Sequence, residues 1–415
     1  VFEKNGLKIG IFGLMGIDAA SVAPASKPVT FANPFKMAAK TAKYLKKTEK
    51  ADIVILLSHA GIEKDKKTGA FTGEDFKIAA KAPEIDIIIG AHTHSRTPQF
   101  LKAGKTYIVQ TGSYGAEMGK IELNFENGKI SNFNFELLPV DDEIKGDEAV
   151  QFEIESYISF INKNYLEPAS LNYSEIIGKT AFDLTVDFEK LNESNLGPFI
   201  ADATKYYLGK TGNPVDVSLV AAGTIRENLV AGKSGLITPA DAFRVMSLGN
   251  GKDSFPGYPL ANIYITGREM KDLAEAIVML QKKGGDGFIY YSGLEIVTNP
   301  KKGFLKKVQQ VKINGQPIDL TKKNTQLYSV SANTYLLSFI GRIKKMSFGL
   351  LKVLPKDKNG IPVTDIFNQL ADADKNRDGI QETKEWIALI EYINSFEKGS
   401  DGIPEIPQKY RKSKM

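Results

Sequence analysis

The chain has 415 residues, 42% hydrophobic and 25% charged, and its 54 basic and 49 acidic side chains give a formal net charge of +5. That length suggests two to three domains in an ordinary globular protein, and the scattered lysines form no basic stripe for a nucleic-acid polymer. No cysteine is present, which excludes disulfides, thiolate metal sites and cysteine nucleophiles, and no segment has the apolar length of a transmembrane helix.

The opening "VFEKNGLKIGIFGLMG" has no basic n-region, so it does not read as a signal peptide. It reads as a hairpin, with a strand over Val1–Lys4, an Asn5-Gly6 turn and a strand over Leu7–Leu14. The expectation is a chain that begins in mid-fold. "NPFKMAAKTAKYLKKTEK" predicts a helix with Asn33 as N-cap and Pro34 in its first turn. "ADIVILLSHAG" predicts an apolar strand, "EDFKIAAKAPE" a helix, and "IDIIIGAHTHS" a third strand. A strand meander follows, turning at Asn127-Gly128. Strands alternating with helices imply a parallel, covered α/β sheet, and their wholly apolar character implies burial on both faces.

Residues 141–170 contain "DEAVQFEIESYISFINKNY", a helix expected to link residues 1–140 to a second, α+β domain over 171–415. In that domain "VDVSLVAAGTIR" reads as a strand entering a glycine turn, "TPADAFRVMSL" as a capped helix, and "NIYITGREMKDLAEAIVML" as a strand followed by a helix.

The three histidines cluster at strand ends, His59 in "ILLSHAG" and His92 and His94 in "GAHTHS". Ligands gather at the carboxyl ends of parallel strands, and neutral imidazole suits Zn, Mn, Fe or Ni. A lone strand-end histidine more often caps a backbone carbonyl; a His-x-His pair with a third histidine on the next tip favours a metal. Asp52 and Asp86 fall at the amino ends of their strands and are poor candidates. Asp18, after "IFGLMG", is the nearest carboxylate at a strand tip, though the pattern does not favour it.

"LLSHAG", "IDIIIGAHTHS" and "VQTGSYGAEMGKIEL" resemble the second half of a calcineurin-like metallophosphoesterase domain. The closer resemblance is to the 5'-nucleotidase family, and "ESNLGPFIADA", "VSLVAAGTIRENL", "TPADAFRVMSLGNG", "YITGREMKDLAEAI" and "YYSGLEI" resemble its C-terminal domain in order. The resemblance spans nearly the whole chain. It implies an incomplete four-layer α/β metallophosphoesterase domain followed by an α+β 5'-nucleotidase C-terminal domain. It also implies two divalent transition-metal ions that activate water against a phosphate ester, His59 and His92 holding one and His94 the other. The family's Asp-x-His motif, bridging Asp and Asn-His pair have no counterpart here, so the expectation is a fragment that is inactive alone, without a catalytic residue of its own.

The resemblance further implies a phosphorylated small molecule as substrate, a nucleotide in the family, whose base is stacked between two aromatics. Arg226 of "GTIREN", Tyr335 of "SANTYLLSF" and Asn195 of "SNLG" fall at substrate-binding positions. Others depart: Leu248 stands where the second aromatic belongs, Ala221 and Asn192 replace polar residues, and "SFIGRIKK" replaces a Gly-Gly-Asp-Gly. The "GGDGF" at Gly284–Phe288 reads as a tight turn between helix and strand. Near the end, "DADKNRDGIQETKE" places Asp374, Asn376, Asp378 and Glu385 at positions 1, 3, 5 and 12 of an EF-hand-like loop, a candidate calcium site. The leading expectation is a periplasmic, cell-surface or secreted phosphate-ester hydrolase; the alternative is a non-catalytic binding or structural protein that kept the fold.

Overall fold

A computed structural model of the chain describes residues 1–412 except 24–25, 66–67, 142, 322, 341–342, 344 and 346. It divides into two compact units, Val1–Val150 and Gln151–Met415.

The first unit runs β1 (Phe2–Lys4), β2 (Leu7–Met15), α1 (Ile17–Ser21), α2 (Pro34–Lys47), β3 (Ile53–His59), β4 (Ile62–Lys64), β5 (Phe71–Gly73), α3 (Glu74–Lys81), β6 (Ile87–Gly90), β7 (Leu101–Ala103), β8 (Thr106–Val109), β9 (Glu117–Glu126) and β10 (Lys129–Pro139). Its six-stranded sheet has the order β1-β2-β3-β6-β8-β7, with β2, β3, β6 and β8 parallel. Asn5 and Gly6 turn the first hairpin with positive φ, and the Asn33 side chain caps α2 by accepting from Lys36 N.

One face of this sheet packs on α2 and α3 through Val54, Leu56, Ile88 and Ile108. The other packs Ile53, Ile87 and Val109 on Phe133 and Phe135 of the β9–β10 hairpin. Because side chains alternate along a strand, Ile53, Leu57 and His59 share that second face. Ile53 is 2% exposed and Leu57 48%, and Ile89 on β6 is 37% exposed. The two-sided burial expected of these strands thus holds at their amino ends, beneath the hairpin, and fails at the carboxyl ends where the histidines lie.

α4 (Glu148–Ile161) spans the division between the units, has no buried residue, and continues as a π-helical turn over Asn162–Leu166. The division falls inside the segment expected to link the domains.

The second unit runs β11 (Gly178–Lys179), α5 (Leu196–Lys210), β12 (Val217–Ala221), β13 (Leu236–Ile237), α6 (Pro239–Val245), β14 (Leu260–Thr266), α7 (Gly267–Lys283), β15 (Ile289–Ser292), β16 (Leu294–Thr298), β17 (Val308–Ile313), β18 (Gln316–Pro317), β19 (Leu327–Asn333), α8 (Thr334–Ser338) and α9 (Glu385–Asn394). A four-stranded sheet, β14-β19-β12-β15, forms the centre. Phe199 of α5 and Leu389 of α9 join the core on one face, and Leu273 and Ile277 of α7 join that on the other. Capping boxes at Thr238/Asp241 and Thr266/Glu269 start α6 and α7 where the sequence places helix starts. The "GGDG" stretch is the expected turn between α7 and β15, with Gly284 and Gly285 both at positive φ. No helix among the described residues is long and apolar enough to cross a membrane.

Candidate functional site

His59 ends β3, and His92 and His94 follow β6, its parallel neighbour, so one sheet edge carries all three. The His59 and His92 rings lie 5.0 Å apart between centroids. His92 Nε2 is 3.1 Å from Asp18 Oδ2, which brings the nearest strand-tip carboxylate into the cluster although the sequence pattern did not favour it. His94 turns elsewhere: its ring meets the edge of Tyr114 at 5.6 Å. Burial, then the neighbouring His92, hold the His59 imidazole below its ordinary pKa, favouring the neutral form that a metal takes.

Two imidazoles and a carboxylate are donors that a zinc-, manganese- or iron-type ion accepts, so the chemistry at His59, His92 and Asp18 fits such a group. Among the described residues, no three histidine, cysteine, aspartate or glutamate side chains close on one point. The three histidines thus share one sheet edge, and this conformation pairs two of them.

The turn carrying them is held from behind. His92 and His94 both adopt left-handed φ, +77° and +54°. Such conformations cost roughly 1–3 kcal/mol each unless the surroundings impose them. Gln110, 1% exposed at the end of β8, does so: with its amide oxygen toward the turn it accepts from His94 N at 3.2 Å and Ser95 N at 3.0 Å. Ser95 Oγ donates to Ile62 O at 2.8 Å, tying the turn to β4. Gly61, at φ +86°, lets the chain after His59 press on Thr93, whose Oγ1 would stand 2.6 Å from any Cβ there.

A second buried group lies under the strand tips. Asp75 in the first turn of α3 is fully buried, and its Oδ1 accepts from Ser58 Oγ at 2.5 Å. Its Oδ2 is buried without a hydrogen-bond partner among the described residues and would crowd a Cβ on Gly90 at 2.8 Å. Burial pushes this carboxyl up to about 6 against the Ser58 hydrogen bond that lowers it. Asp75 escaped sequence reasoning because an acid in a helix's first turn usually serves the helix dipole on the surface. Asp52 and Asp86, excluded by strand direction, do serve backbone: they accept from Lys8 N and Val54 N, each at 2.8 Å.

In the second unit, Arg226 follows the turn after β12, is half-buried, and its guanidinium makes no hydrogen bond or ion pair among the described residues. Tyr335 opens α8, and its ring stacks on Tyr258 with centroids 5.3 Å apart. Asn333 caps α8 through Leu336 N at 2.7 Å and donates its Nδ2 to Glu385 Oε2 at 2.9 Å. Glu385 is 2% exposed, and burial raises its carboxyl to about 8.

The profile of the 5'-nucleotidase C-terminal domain matches residues 176–344. The chain is 27% identical over 349 residues to the trifunctional nucleotide phosphoesterase protein YfkN of Bacillus subtilis, covering 81% of this chain and 22% of that one. It is 26% identical to an apyrase of Aedes aegypti, covering 90% of this chain and 65% of the relative. The chain therefore spans less than two thirds of either relative. The crystal structure of a 5'-nucleotidase precursor from Thermus thermophilus matches 97% of this chain and 73% of its own at a TM-score of 0.63, with 19% identity. Residues 176–344 thus resemble a 5'-nucleotidase C-terminal domain, and most of the chain is similar to nucleotide phosphoesterases and apyrases. Its fold is that of the matched 5'-nucleotidase structure: an α/β unit of metallophosphoesterase type followed by an α+β C-terminal domain.

The substrate positions that the family resemblance implied differ in how far the fold already engages them. Asn195 is spent on the fold, its Nδ2 donating to Asp183 O and Tyr410 O and its Oδ1 accepting from Thr185 N. That leaves it no free donor for a ligand. Leu248 is half-buried and contributes no ring, and Tyr258, which sequence comparison did not single out, supplies the ring opposite Tyr335. A signal existed in "FPGYPL", an aromatic set in a Pro-Gly turn. Of the "SFIGRIKK" substitution, residues 341, 342 and 344 lie outside the described residues.

The EF-hand-like loop is also divided. Asp374 accepts from Asn376 N within its own turn and Gln381 N returns to Asp372, whereas Glu385 faces inward to Asn333. The twelfth-position carboxylate is thus inside the domain rather than on the loop, because α9 begins at Glu385 and turns its first residues into the core.

Proposed function

We propose that this chain carries the metal site and C-terminal domain of a metal-dependent phosphate-ester hydrolase of 5'-nucleotidase type. The observation that carries the reading is the His59–His92 pair, 5.0 Å apart on adjacent parallel strand tips with Asp18 3.1 Å from His92. His59 and His92 would hold one divalent ion, with His94 serving a second after turning from Tyr114. Two such ions would supply Lewis acidity toward the phosphoryl oxygens and a water nucleophilic near neutral pH. The chain's own contributions are a neutral His59, a turn fixed by Gln110, and in the C-terminal domain an Arg226 with no side-chain partner among the described residues, suited to a phosphate or hydroxyl of the substrate. A periplasmic, cell-surface or secreted location accompanies this reading.

Elemental analysis after dialysis tests the metal centre. Bound zinc, manganese or iron should fall on His92→Ala; unchanged content would remove the ligand assignment. Hydrolysis of p-nitrophenyl phosphate with added divalent metal tests the reaction. The rival reading is a non-catalytic binding protein, favoured by the commitment of Asn195 to backbone. Metal bound without hydrolysis by the full-length protein would select it.

A further inference from the structure

We propose that Tyr258 permanently fills the aromatic slot of the C-terminal domain, so that its substrate is a phosphate ester of a non-aromatic group, such as a sugar or polyol phosphate, and not a nucleotide. This rests on the hydrolase reading and narrows its substrate class.

A purine or pyrimidine held between two rings needs about 3.4 Å on each side, hence roughly 7 Å between the flanking rings. The Tyr258 and Tyr335 centroids are 5.3 Å apart with planes 23° from parallel, which is direct stacking with no room for a third ring. Phe339 presses on Tyr335 as well, at 4.8 Å and 61°.

Tyr258 is not free to swing aside. Gly249 lies against it so closely that a Cβ there would sit 2.2 Å from the ring carbons, at a φ of +81° that favours glycine. The ring is therefore held between the Gly249 backbone and Tyr335. The loop that presents it is closed on itself by Gly257 N to Gly249 O at 2.8 Å and Gly251 N to Phe255 O at 3.1 Å. It is also fastened to the segment leading into α9. Trp386 Nε1 donates to Pro256 O at 2.9 Å, and Lys252 N donates to Glu382 Oε1 at 2.8 Å. Lys384, its side chain 1% exposed, bridges Asp253 at 2.8 Å and Glu382 at 2.6 Å. Moving this loop as a whole to open a slot would break the ion pairs of Lys384, whose side chain is 1% exposed. Leu248 sits next to Gly249, so the residue that would have supplied a second ring instead leads into the turn that carries Tyr258.

The test measures adenosine binding by calorimetry, separately from any hydrolysis. The wild-type chain should bind no adenosine at millimolar ligand. Tyr258→Ala, which vacates one ring, should bind it at least about tenfold tighter, as one base stacking on one ring predicts. Tyr258→Phe should behave as wild type and serves as the fold control. Submillimolar adenosine binding by the wild type, or by Tyr258→Phe if Tyr258→Ala does not fold, overturns the proposal, as does a folded Tyr258→Ala that gains none. Hydrolysis of ribose 5-phosphate by the full-length protein is scored apart: its absence counts against the hydrolase reading and leaves the adenosine result standing.

Discussion

Ser58 Oγ donates to Asp75 Oδ1 at 2.5 Å across the buried space between β3 and α3, one residue before His59. The other oxygen of Asp75 has no partner among the described residues, and burial holds the carboxyl up at about 6. A folded-state pKa above the unfolded one contributes stability that is full below about 3.8 and is lost as pH rises through about 6. The size is on the order of 3 kcal/mol. Asp75→Asn keeps the acceptor for Ser58 and cannot ionise. Urea denaturation of both proteins from pH 4 to 7.5 should show the wild type losing stability relative to the variant as pH rises. A constant difference between them would refute the buried, raised carboxyl.

Gln110 is the second support. Removing its amide by Gln110→Leu leaves His94 N and Ser95 N without their acceptor in a turn whose two histidines are both left-handed. Groups that orient metal ligands typically matter by about 10–100-fold in metal affinity. Competition with a chromophoric chelator should show such a loss for zinc in Gln110→Leu and little loss in Gln110→Glu, which keeps the acceptor. Equal zinc affinity in all three proteins would show that the turn is shaped without it.

Glu385 gives a second pH signature, at the other end of the scale. Burial holds its carboxyl at about 8 against the Asn333 hydrogen bond. The contribution is full below about 4.5 and lost as pH rises through about 8, so the wild type should weaken between about pH 5 and 8 where Glu385→Gln does not. Asn333→Ala should cost about 1–3 kcal/mol at pH 7 by leaving Glu385 and the first turn of α8 unsatisfied. Chemical denaturation measures both.

The same inward turn of Glu385 bears on calcium. A loop deprived of its bidentate twelfth ligand binds weakly, so millimolar calcium should move the melting temperature by less than about 1 °C. A calcium-dependent rise that Asp374→Ala abolishes would mean that the loop rearranges to recruit the ion.

Arg226 separates stability from function. Its guanidinium is half-buried with no side-chain partner among the described residues, so Arg226→Leu should leave stability within about 0.5 kcal/mol. On the hydrolase reading the variant should raise KM for a phosphate ester roughly 10-fold or more, as loss of a hydrogen bond to charge implies. A large stability loss with unchanged KM would reassign the residue to the fold.

Much was legible in the sequence by itself. Apolar runs bounded by Asn-Gly and Asn-Pro signals located β2, α2 and β3, and the histidines at the ends of β3 and β6 fell on one edge because parallel strands end together. Local chemistry fixes such features, since turn residues and alternation act over a few positions. Tertiary structure alone decided which side chains meet. Asp18 and His92, Ser58 and Asp75, Asn333 and Glu385, and Tyr258 and Tyr335 are separated by 74, 17, 52 and 77 positions. No periodicity encodes such pairs, because each depends on burial and on strand order rather than on its own neighbours. Burial, a property of the assembled fold, also turned Glu385 from a loop ligand into a neutral core acid and left Leu57 and Ile89 exposed on strands that read as wholly interior.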